Sequence, residues 1–191
     1  MRIIFATNNA NKLAEIQHEL GDDFELVSLK DIGFEGDIPE TGRTLEANAL
    51  LKANYIFDRY KVPVFADDTG LEVAALDDEP GVDTAHYSGS RDADANMKKL
   101  LGELRGKDDR SAVFKTIIAF VTKDEKKLFA GEIKGRITES KSGDQGFGYD
   151  PVFMPEGESR TFAEMSMEEK GKENHRVRAF RKFMEFLKTS Y

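Results

Sequence analysis

The chain has 191 residues and no cysteine, which suits one domain over residues 1–191 and excludes disulfides and thiolate metal sites. Its formal net charge of -8 disfavours nucleic acid as a partner, because such binding depends on clustered lysine and arginine that neutralise phosphates. No apolar run is long enough for a signal-peptide core or for the ~20 residues of a membrane helix, so we expect a cytoplasmic protein that does not bind membranes.

The first part of the sequence alternates between strand and helix patterns. The predicted elements, in chain order, are a strand at 3–5, a helix carrying Leu13, Ile16 and Leu20 that ends at Gly21, a strand at 24–29, a helix at 44–60 and a strand at 62–66. This alternation predicts an α/β sheet with helices on its faces.

The second part predicts antiparallel strands and a closing helix. After a predicted helix through 97–104, two β-rich runs within 111–138 are joined by the polar turn 122–127, which indicates a hairpin. Residues 142–160 carry glycines and prolines without a period, and a loop of this length is usually functional. Apolar residues at helical spacing in 177–187 predict an amphipathic helix whose apolar stripe packs in the core.

The segment ATNNANK, residues 6–12, lies between the first predicted strand and helix. A helix N-terminus offers free backbone N–H groups and a partial positive charge to a phosphate, and Thr7, Asn9 and Lys12 are candidates to complete such a site. Asn and Thr are also good helix-capping residues whatever the function, and no glycine-rich phosphate-loop consensus is present. The residues alone leave both interpretations open.

Acidic residues in two segments suggest a cation site. Asp67 and Asp68 follow the apolar residues of the third predicted strand, where two adjacent carboxylates repel each other unless a cation lies nearby. Glu40 precedes the predicted helix that carries Lys52. Mg²⁺ takes one or two carboxylates together with water and phosphate oxygens, so Glu40 is a candidate ligand beside the strand-end acids. The alternative is an acidic surface turn and a solvated loop acid.

The segment GFGYDP alternates glycine with aromatic residues. The glycines allow the backbone to approach a ligand closely, while Phe147 or Tyr149 could lie over a flat base. Asp150 could accept hydrogen bonds from a base or ribose edge. The alternative interpretation is a surface loop anchored by its aromatic rings.

The segment EEKGKENHR places Lys170, His175 and Arg176 just before the closing helix. Basic side chains near a helix start oppose the helix dipole, and an anionic or base ligand would remove this conflict. A surface location remains the alternative.

These segments, in this order, resemble the inosine triphosphate pyrophosphatase family. The resemblance spans nearly the whole chain and is carried by ATNNANK, PETG, EANALLKA, FADDTGLEV, PGVDTAHYSG, GFGYDPVF and EEKGKENHR. It implies an α/β fold with an elongated mixed sheet flanked by helices, two lobes with the active-site cleft between them, and a homodimer. It also implies magnesium-dependent hydrolysis of non-standard purine nucleoside triphosphates (ITP, dITP and XTP) to the monophosphate and pyrophosphate.

The resemblance implies a role for each matching residue. Glu40 and Asp68 would hold Mg²⁺, with Asp68 also acting as the base that activates water. Lys52 would face phosphates, Thr69 would contact substrate, and the remaining triphosphate-binding residues would be Thr7, Asn8, Asn9, Ala10, Asn11 and Lys12. The base-binding residues would be Phe147, Gly148, Tyr149, Asp150, Lys170, His175 and Arg176.

Two positions depart from the family pattern. Asn8 stands where the family commonly has glycine, and His86 stands where arginine is common, so His86 is given no role. Two alternatives to the implied activity stay open at this point: a non-catalytic nucleotide-binding module, and a nucleotide pyrophosphatase of broader specificity.

Overall fold

The computed structural model describes residues 2–19, 24–172 and 174–190. Its strands are β1 (Arg2–Phe5), β2 (Glu25–Ser28), β3 (Val64–Val73), β4 (Pro80–Gly81), β5 (Ser111–Val121), β6 (Lys126–Ile137) and β7 (Phe153–Pro155). Its helices are α1 (Ala10–Glu19), α2 (Leu45–Tyr60), α3 (Ala93–Glu103), α4 (Met167–Lys172) and α5 (His175–Ser190). The predicted end of the first helix, at Leu20 and Gly21, lies outside the described residues.

The strands form one seven-stranded sheet in the order β2-β1-β3-β5-β6-β7, with β4 paired to β3. β1 runs parallel to β2 and to β3, whereas β4 is antiparallel to β3 and β7 is antiparallel to β6. Parallel and antiparallel pairs therefore share one sheet, and the predicted mixed α/β fold is confirmed. No helix in the described part of the chain is both long enough and apolar enough to cross a membrane.

The chain divides into two compact units. Unit 1 consists of Met1–Asp68, Thr116–Gly131 and Arg176–Tyr191, and unit 2 consists of Thr69–Lys115 and Glu132–His175. The core of unit 1 includes Ile3, Phe5, Ile16, Phe65, Ile118, Phe120, Phe180, Phe183 and Leu187. The core of unit 2 includes Leu71, Val73, Met97, Leu100, Phe114, Ile137, Tyr149, Val152, Phe153 and Phe162.

The apolar stripe of α5 packs in the core of unit 1, as its spacing predicted. Phe180, Met184 and Leu187 are all buried there. Burial of side chains at this spacing contributes about 1.5–3 kcal/mol for each large apolar residue. Packing thus explains the stripe without any partner helix.

Three predictions about element boundaries were wrong. β3 does not end before Asp67 but continues to Val73, because Leu71 and Glu72 pair with β4. The segment 142–160 is not wholly irregular, since it contains β7, which pairs with β6. His175 and Arg176 do not precede the closing helix but form its first turn, and Lys170 lies in α4.

Candidate functional site

The ammonium group of Lys52 joins two carboxylates in unit 1. Lys52 Nζ donates to Glu40 Oε1 at 2.6 Å and to Asp68 Oδ1 at 2.8 Å. The residue lies on the face of α2 that also buries Asn48, Ala49, Ala53 and Ile56, and only 6% of it is exposed. Since both oxygens contact the same nitrogen, Glu40 and Asp68 lie close together although 28 positions separate them in the sequence.

Asp67, which directly precedes Asp68, contacts two other cations of unit 1. Lys12 Nζ lies 2.9 Å and Arg176 Nε 3.4 Å from Asp67 Oδ2. Burial by itself would raise the pKa of Asp67, but Lys12, Arg176 and Lys52 outweigh burial and lower that pKa to about 2. Burial is the main cause that lowers the pKa of Lys12, with Asp67 opposing it. Asp67 is therefore ionised at neutral pH.

The surroundings of Asp68 differ from those of Asp67. Burial raises the pKa of Asp68, and Lys52 only partly opposes the effect. Burial disfavours the charge on Lys52, but the surrounding carboxylates of Asp68, Asp67 and Glu40 raise its pKa overall, so Lys52 stays protonated. A carboxylate whose pKa is raised is a better proton acceptor than an ordinary exposed aspartate.

The segment from Thr7 to Lys12 caps α1. Asn9 Oδ1 accepts hydrogen bonds from the backbone N–H groups of Asn11 at 3.0 Å and Lys12 at 3.3 Å, and Thr7 Oγ1 accepts from the N–H of Asn9 at 3.2 Å. The capping interpretation is therefore confirmed for Asn9. Asn8 donates to Gly36 O at 3.0 Å, which ties the segment to the loop after β2. Ala10 and Asn11, at the start of α1, are exposed.

In unit 2, Asp150 organises the aromatic loop. Asp150 Oδ2 accepts from the backbone N–H of Phe147 at 2.9 Å and from Lys170 Nζ at 2.5 Å. Lys170 Nζ also lies 5.1 Å from the ring centroid of Phe147 and 5.4 Å from that of Phe162. Gly146 has φ 77°, and a Cβ built there would collide with Asp150 Oδ2, so the loop requires glycine at this position.

The two aromatic residues of this loop have different surroundings. Tyr149 is 3% exposed, belongs to the core of unit 2 and donates its hydroxyl to Thr84 O at 3.0 Å. Phe147 is only half-buried, and Gly148 beside it is half-buried as well. Tyr149 thus fits the alternative of an aromatic anchor, while Phe147 remains the candidate to stack on a base.

The remaining predicted residues fall in both units. His175 is buried in unit 2, where its ring centroid lies 4.8 Å from that of Phe114. Arg176 contacts Asp67 in unit 1, whereas Lys170 contacts Asp150 in unit 2, so the basic residues of EEKGKENHR have different acid partners. Thr69 is half-buried in β3 and follows Asp68 directly.

The acids of unit 1 suit a metal ion that completes its shell with other ligands. No group of three or more His, Cys, Asp or Glu side chains suited to a metal occurs among residues 2–19, 24–172 and 174–190. Glu40 and Asp68 together offer two carboxylates at one place. This donor set fits Mg²⁺, which binds proteins through one or two carboxylates and keeps water and phosphate oxygens as its other ligands.

These features define a mixed α/β protein with two groups of charged side chains. In unit 1, Glu40, Lys52 and Asp68 suit a metal ion and phosphates. In unit 2, Asp150 and Lys170 lie beside the half-buried ring of Phe147. The chain belongs to the Ham1 family, whose model matches residues 3–186. The resemblance to the inosine triphosphate pyrophosphatase family is thereby confirmed, over nearly the whole chain.

Relatives and solved structures agree with this assignment. The chain is 50% identical over 189 residues to a dITP/XTP pyrophosphatase of Flavobacterium psychrophilum, covering 98% of this chain and 100% of the relative. It is 50% identical over 188 residues to a dITP/XTP pyrophosphatase of Porphyromonas gingivalis, covering 97% of each. The Ham1 protein of Staphylococcus aureus has a similar structure, with TM-score 0.92, 36% identity and 100% coverage of both chains.

Sequence reasoning missed one buried polar residue of unit 1 as a functional candidate. Asn48 is 4% exposed and accepts a hydrogen bond from the backbone N–H of Gly42 through Oδ1 at 2.7 Å. The available signal was its position one helical turn before Lys52, which places both residues on one face of α2.

Proposed function

We propose that this chain is a magnesium-dependent pyrophosphatase that hydrolyses ITP, dITP and XTP to the monophosphate and pyrophosphate. The observation that carries the proposal is the convergence of Glu40 and Asp68 on Lys52. Two carboxylates beside a protonated lysine suit a reaction in which the protein mainly positions phosphates and neutralises their charge. The names of relatives that match nearly the whole chain support the choice of substrates.

The triphosphate end of the substrate is assigned to unit 1. Glu40 and Asp68 would hold the magnesium ion, and Lys12 and Lys52 would supply positive charge to the phosphates. A bound magnesium ion neutralises phosphate charge and makes a coordinated water more acidic. The N-terminus of α1, with its partial positive charge, would also face the phosphates.

Asp68 is the proposed general base. It would accept a proton from the water that attacks the α-phosphorus, and pyrophosphate would leave. Asp68 lies beside the other proposed metal ligand, Glu40, whereas Asp67 is held by Lys12 and Arg176, so Asp68 suits this role better. Asp67 would instead hold Lys12 and Arg176 in place through its two ion pairs.

The base end of the substrate is assigned to unit 2. The half-buried ring of Phe147 would stack on the purine, and Lys170 and His175 would donate to its oxo groups. Adenine carries an amino donor at position 6, so a donor aimed there would lose its partner at a cost of about 1–3 kcal/mol. This difference would favour hypoxanthine and xanthine over adenine. Arg176, predicted as a base reader, is assigned to Asp67 and the phosphate side instead.

Release of pyrophosphate from a panel of nucleotides tests the proposal. ITP, XTP, dITP, GTP, ATP and dUTP are incubated with the protein, with and without Mg²⁺. We expect release from ITP, dITP and XTP only in the presence of Mg²⁺, and slow release from ATP. A binding module would bind ITP without releasing pyrophosphate, and a broad-specificity enzyme would hydrolyse ATP and ITP at similar rates.

The resemblance also supports a homodimer located in the cytoplasm, and we include both in the proposal. Light scattering coupled to gel filtration tests whether the protein is a dimer. A mass near twice 21.5 kDa is the expected result, and a mass near 21.5 kDa would contradict it.

A further inference from the structure

We propose that Asn48 is a positioning residue that holds the Glu40 loop against α2 and thereby sets the distance between the two carboxylates of the metal site. This inference rests on the proposed function, since it concerns the same site. The hydrogen bond of Asn48 is to the backbone N–H of Gly42 and not to Glu40 or Asp68, so Asn48 would act on the acids through the loop backbone.

The Glu40 loop needs such a restraint. Glu40 lies in a segment without regular secondary structure, and its side chain is 35% exposed. Its carboxylate nevertheless contacts Lys52, whose nitrogen also contacts Asp68. A metal site whose ligand stands on an irregular loop depends on neighbouring hydrogen bonds to orient that ligand.

Asn48 supplies a hydrogen bond of this kind. Its Oδ1 accepts from the N–H of Gly42 at 2.7 Å, two residues after Glu40. Asn48 lies one turn before Lys52 on the same buried face of α2, so one helix face contacts both Gly42 and Glu40. The loop and the lysine are therefore positioned by the same rigid element.

The packing around Gly42 shows how closely the loop approaches α2. A Cβ added at Gly42 would lie 2.6 Å from Asn48 Oδ1, 2.8 Å from Ala47 Cβ and 2.9 Å from Asn48 N. Each of these distances is too short for a real side chain. The hydrogen bond between Gly42 and Asn48 therefore requires glycine at position 42. The segment PETG thus contains both the proposed metal ligand, Glu40, and the glycine that lets the loop pack against α2.

Unit 2 contains a similar arrangement that serves as a control, in which Asn96 also donates through Nδ2 to Ala85 O at 3.1 Å. Asn96 in α3 is also four residues after its helix cap, Asp92, just as Asn48 is four residues after the cap Thr44. Asn96 Oδ1 accepts from the N–H of Ser88 at 2.7 Å. The two bonds have the same chemistry and length, but only that of Asn48 fixes a loop with a proposed metal ligand.

The test compares Asn48→Leu, Asn48→Asp and Asn96→Leu. Leucine is close to asparagine in size but has no acceptor, whereas aspartate keeps the acceptor oxygen. Mn²⁺ binding is measured by calorimetry without nucleotide, and exchange of the Gly42 amide is followed by hydrogen–deuterium exchange. We expect Asn48→Leu to weaken Mn²⁺ binding about 10- to 100-fold, the usual effect of losing a residue that orients a ligand, and to speed exchange at Gly42.

The other variants separate positioning from general loss of stability. We expect Asn48→Asp to bind Mn²⁺ at least as well as the wild type, and Asn96→Leu to bind it normally despite a lower melting temperature. If Asn48→Leu does not fold, Asn48→Ala carries the same comparison. Unchanged Mn²⁺ binding in Asn48→Leu or Asn48→Ala, or an equal loss in Asn96→Leu, would overturn the inference alone. A wild-type protein that neither binds Mn²⁺ nor requires Mg²⁺ would overturn the proposed function as well.

Discussion

Asp67 and Asp68 are neighbours in β3 but contact cations from different helices. Side chains of consecutive strand residues point to opposite faces of a sheet. Asp67 accordingly contacts Lys12 of α1 and Arg176 of α5, whereas Asp68 contacts Lys52 of α2. This arrangement explains how the chain tolerates two adjacent buried carboxylates, because each is in direct contact with at least one cation of its own.

The ion pairs of Asp67 predict a large loss of stability on neutralisation. Asp67 is 2% exposed, so Asp67→Asn leaves Lys12 and Arg176 with less compensating charge in a buried place. We expect a loss of about 3–5 kcal/mol in the free energy of unfolding, measured by urea denaturation. Asp58→Asn is the control, because the Asp58–Lys61 pair is exposed and is expected to contribute less than about 1 kcal/mol. Equal effects of the two substitutions would contradict this explanation.

The different surroundings of Asp68 predict loss of activity with little loss of stability. Asparagine at position 68 still offers an acceptor to Lys52 but cannot take a proton from water. We expect Asp68→Asn to lower kcat for ITP by about 10²- to 10⁴-fold. The melting temperature should stay near that of the wild type. Near-normal kcat in this variant would assign the base to another residue.

The half-buried ring of Phe147 predicts a selective effect on nucleotide affinity. Phe147→Ala should weaken nucleotide binding by about 1–3 kcal/mol, the usual contribution of stacking to one base. Mg²⁺ affinity should not change, because a phenyl ring carries no oxygen or nitrogen ligand for the ion. Titration with ITP and with Mg²⁺ measures the two effects separately, and Phe57→Ala, at another half-buried phenylalanine, provides the control. An unchanged ITP affinity would remove the stacking role.

The close approach of Asp150 to Gly146 predicts that replacing this glycine weakens substrate binding. In Gly146→Ala, the new Cβ would displace the carboxylate that accepts from Phe147 and Lys170. We expect a severalfold rise in KM for ITP. Gly157→Ala is the matched control, because Gly157 also has positive φ but no atom lies within 4 Å of the position that a Cβ would take there. Similar KM values for both variants would show that backbone strain alone, and not Asp150, determines the effect.

Glu164 predicts how stability in unit 2 changes with pH. Hydrogen bonds from the backbone and side chain of Thr161 and from Ser142 lower the pKa of Glu164 below its usual 4.5, the backbone bond having the largest effect. A lowered folded-state pKa stabilises the fold above the unfolded-state pKa, and this contribution is lost as pH falls below about 4.5. We therefore expect Glu164→Gln to lower the melting temperature at pH 7 but much less at pH 3, with the exposed Glu139→Gln as control. A difference that does not depend on pH would contradict the assignment.

The sequence predicts the elements with strong periodicity but not the ends of strands next to charged residues. The helices at 45–60 and 175–190 follow from apolar spacing, and the hairpin of β5 and β6 follows from two β-rich runs around a polar turn. The continuation of β3 through Asp67 and Asp68 was missed, because two acids in a row usually mark an exposed turn. Only the cations of distant segments make a buried strand possible there.

The sequence also does not predict contacts between residues that are far apart in the chain. The motifs supplied the candidate site residues, yet no local pattern connects Arg176 with Asp67, which are 109 positions apart. Arg176 was accordingly grouped with Lys170 by proximity in sequence, although the fold gives the two residues different acid partners. Asn48 was missed for a related reason, since its partner is a backbone N–H that carries no sequence signature.

A crystal soaked with Mn²⁺ and a slowly hydrolysed ITP analogue tests the central claim most directly, because the anomalous signal of Mn²⁺ locates the ion. The predicted result is an ion bound by the carboxylates of Glu40 and Asp68 and in contact with the phosphates of the analogue. An ion bound elsewhere, with Glu40 and Asp68 both remaining on Lys52 and no phosphate beside them, would contradict the account.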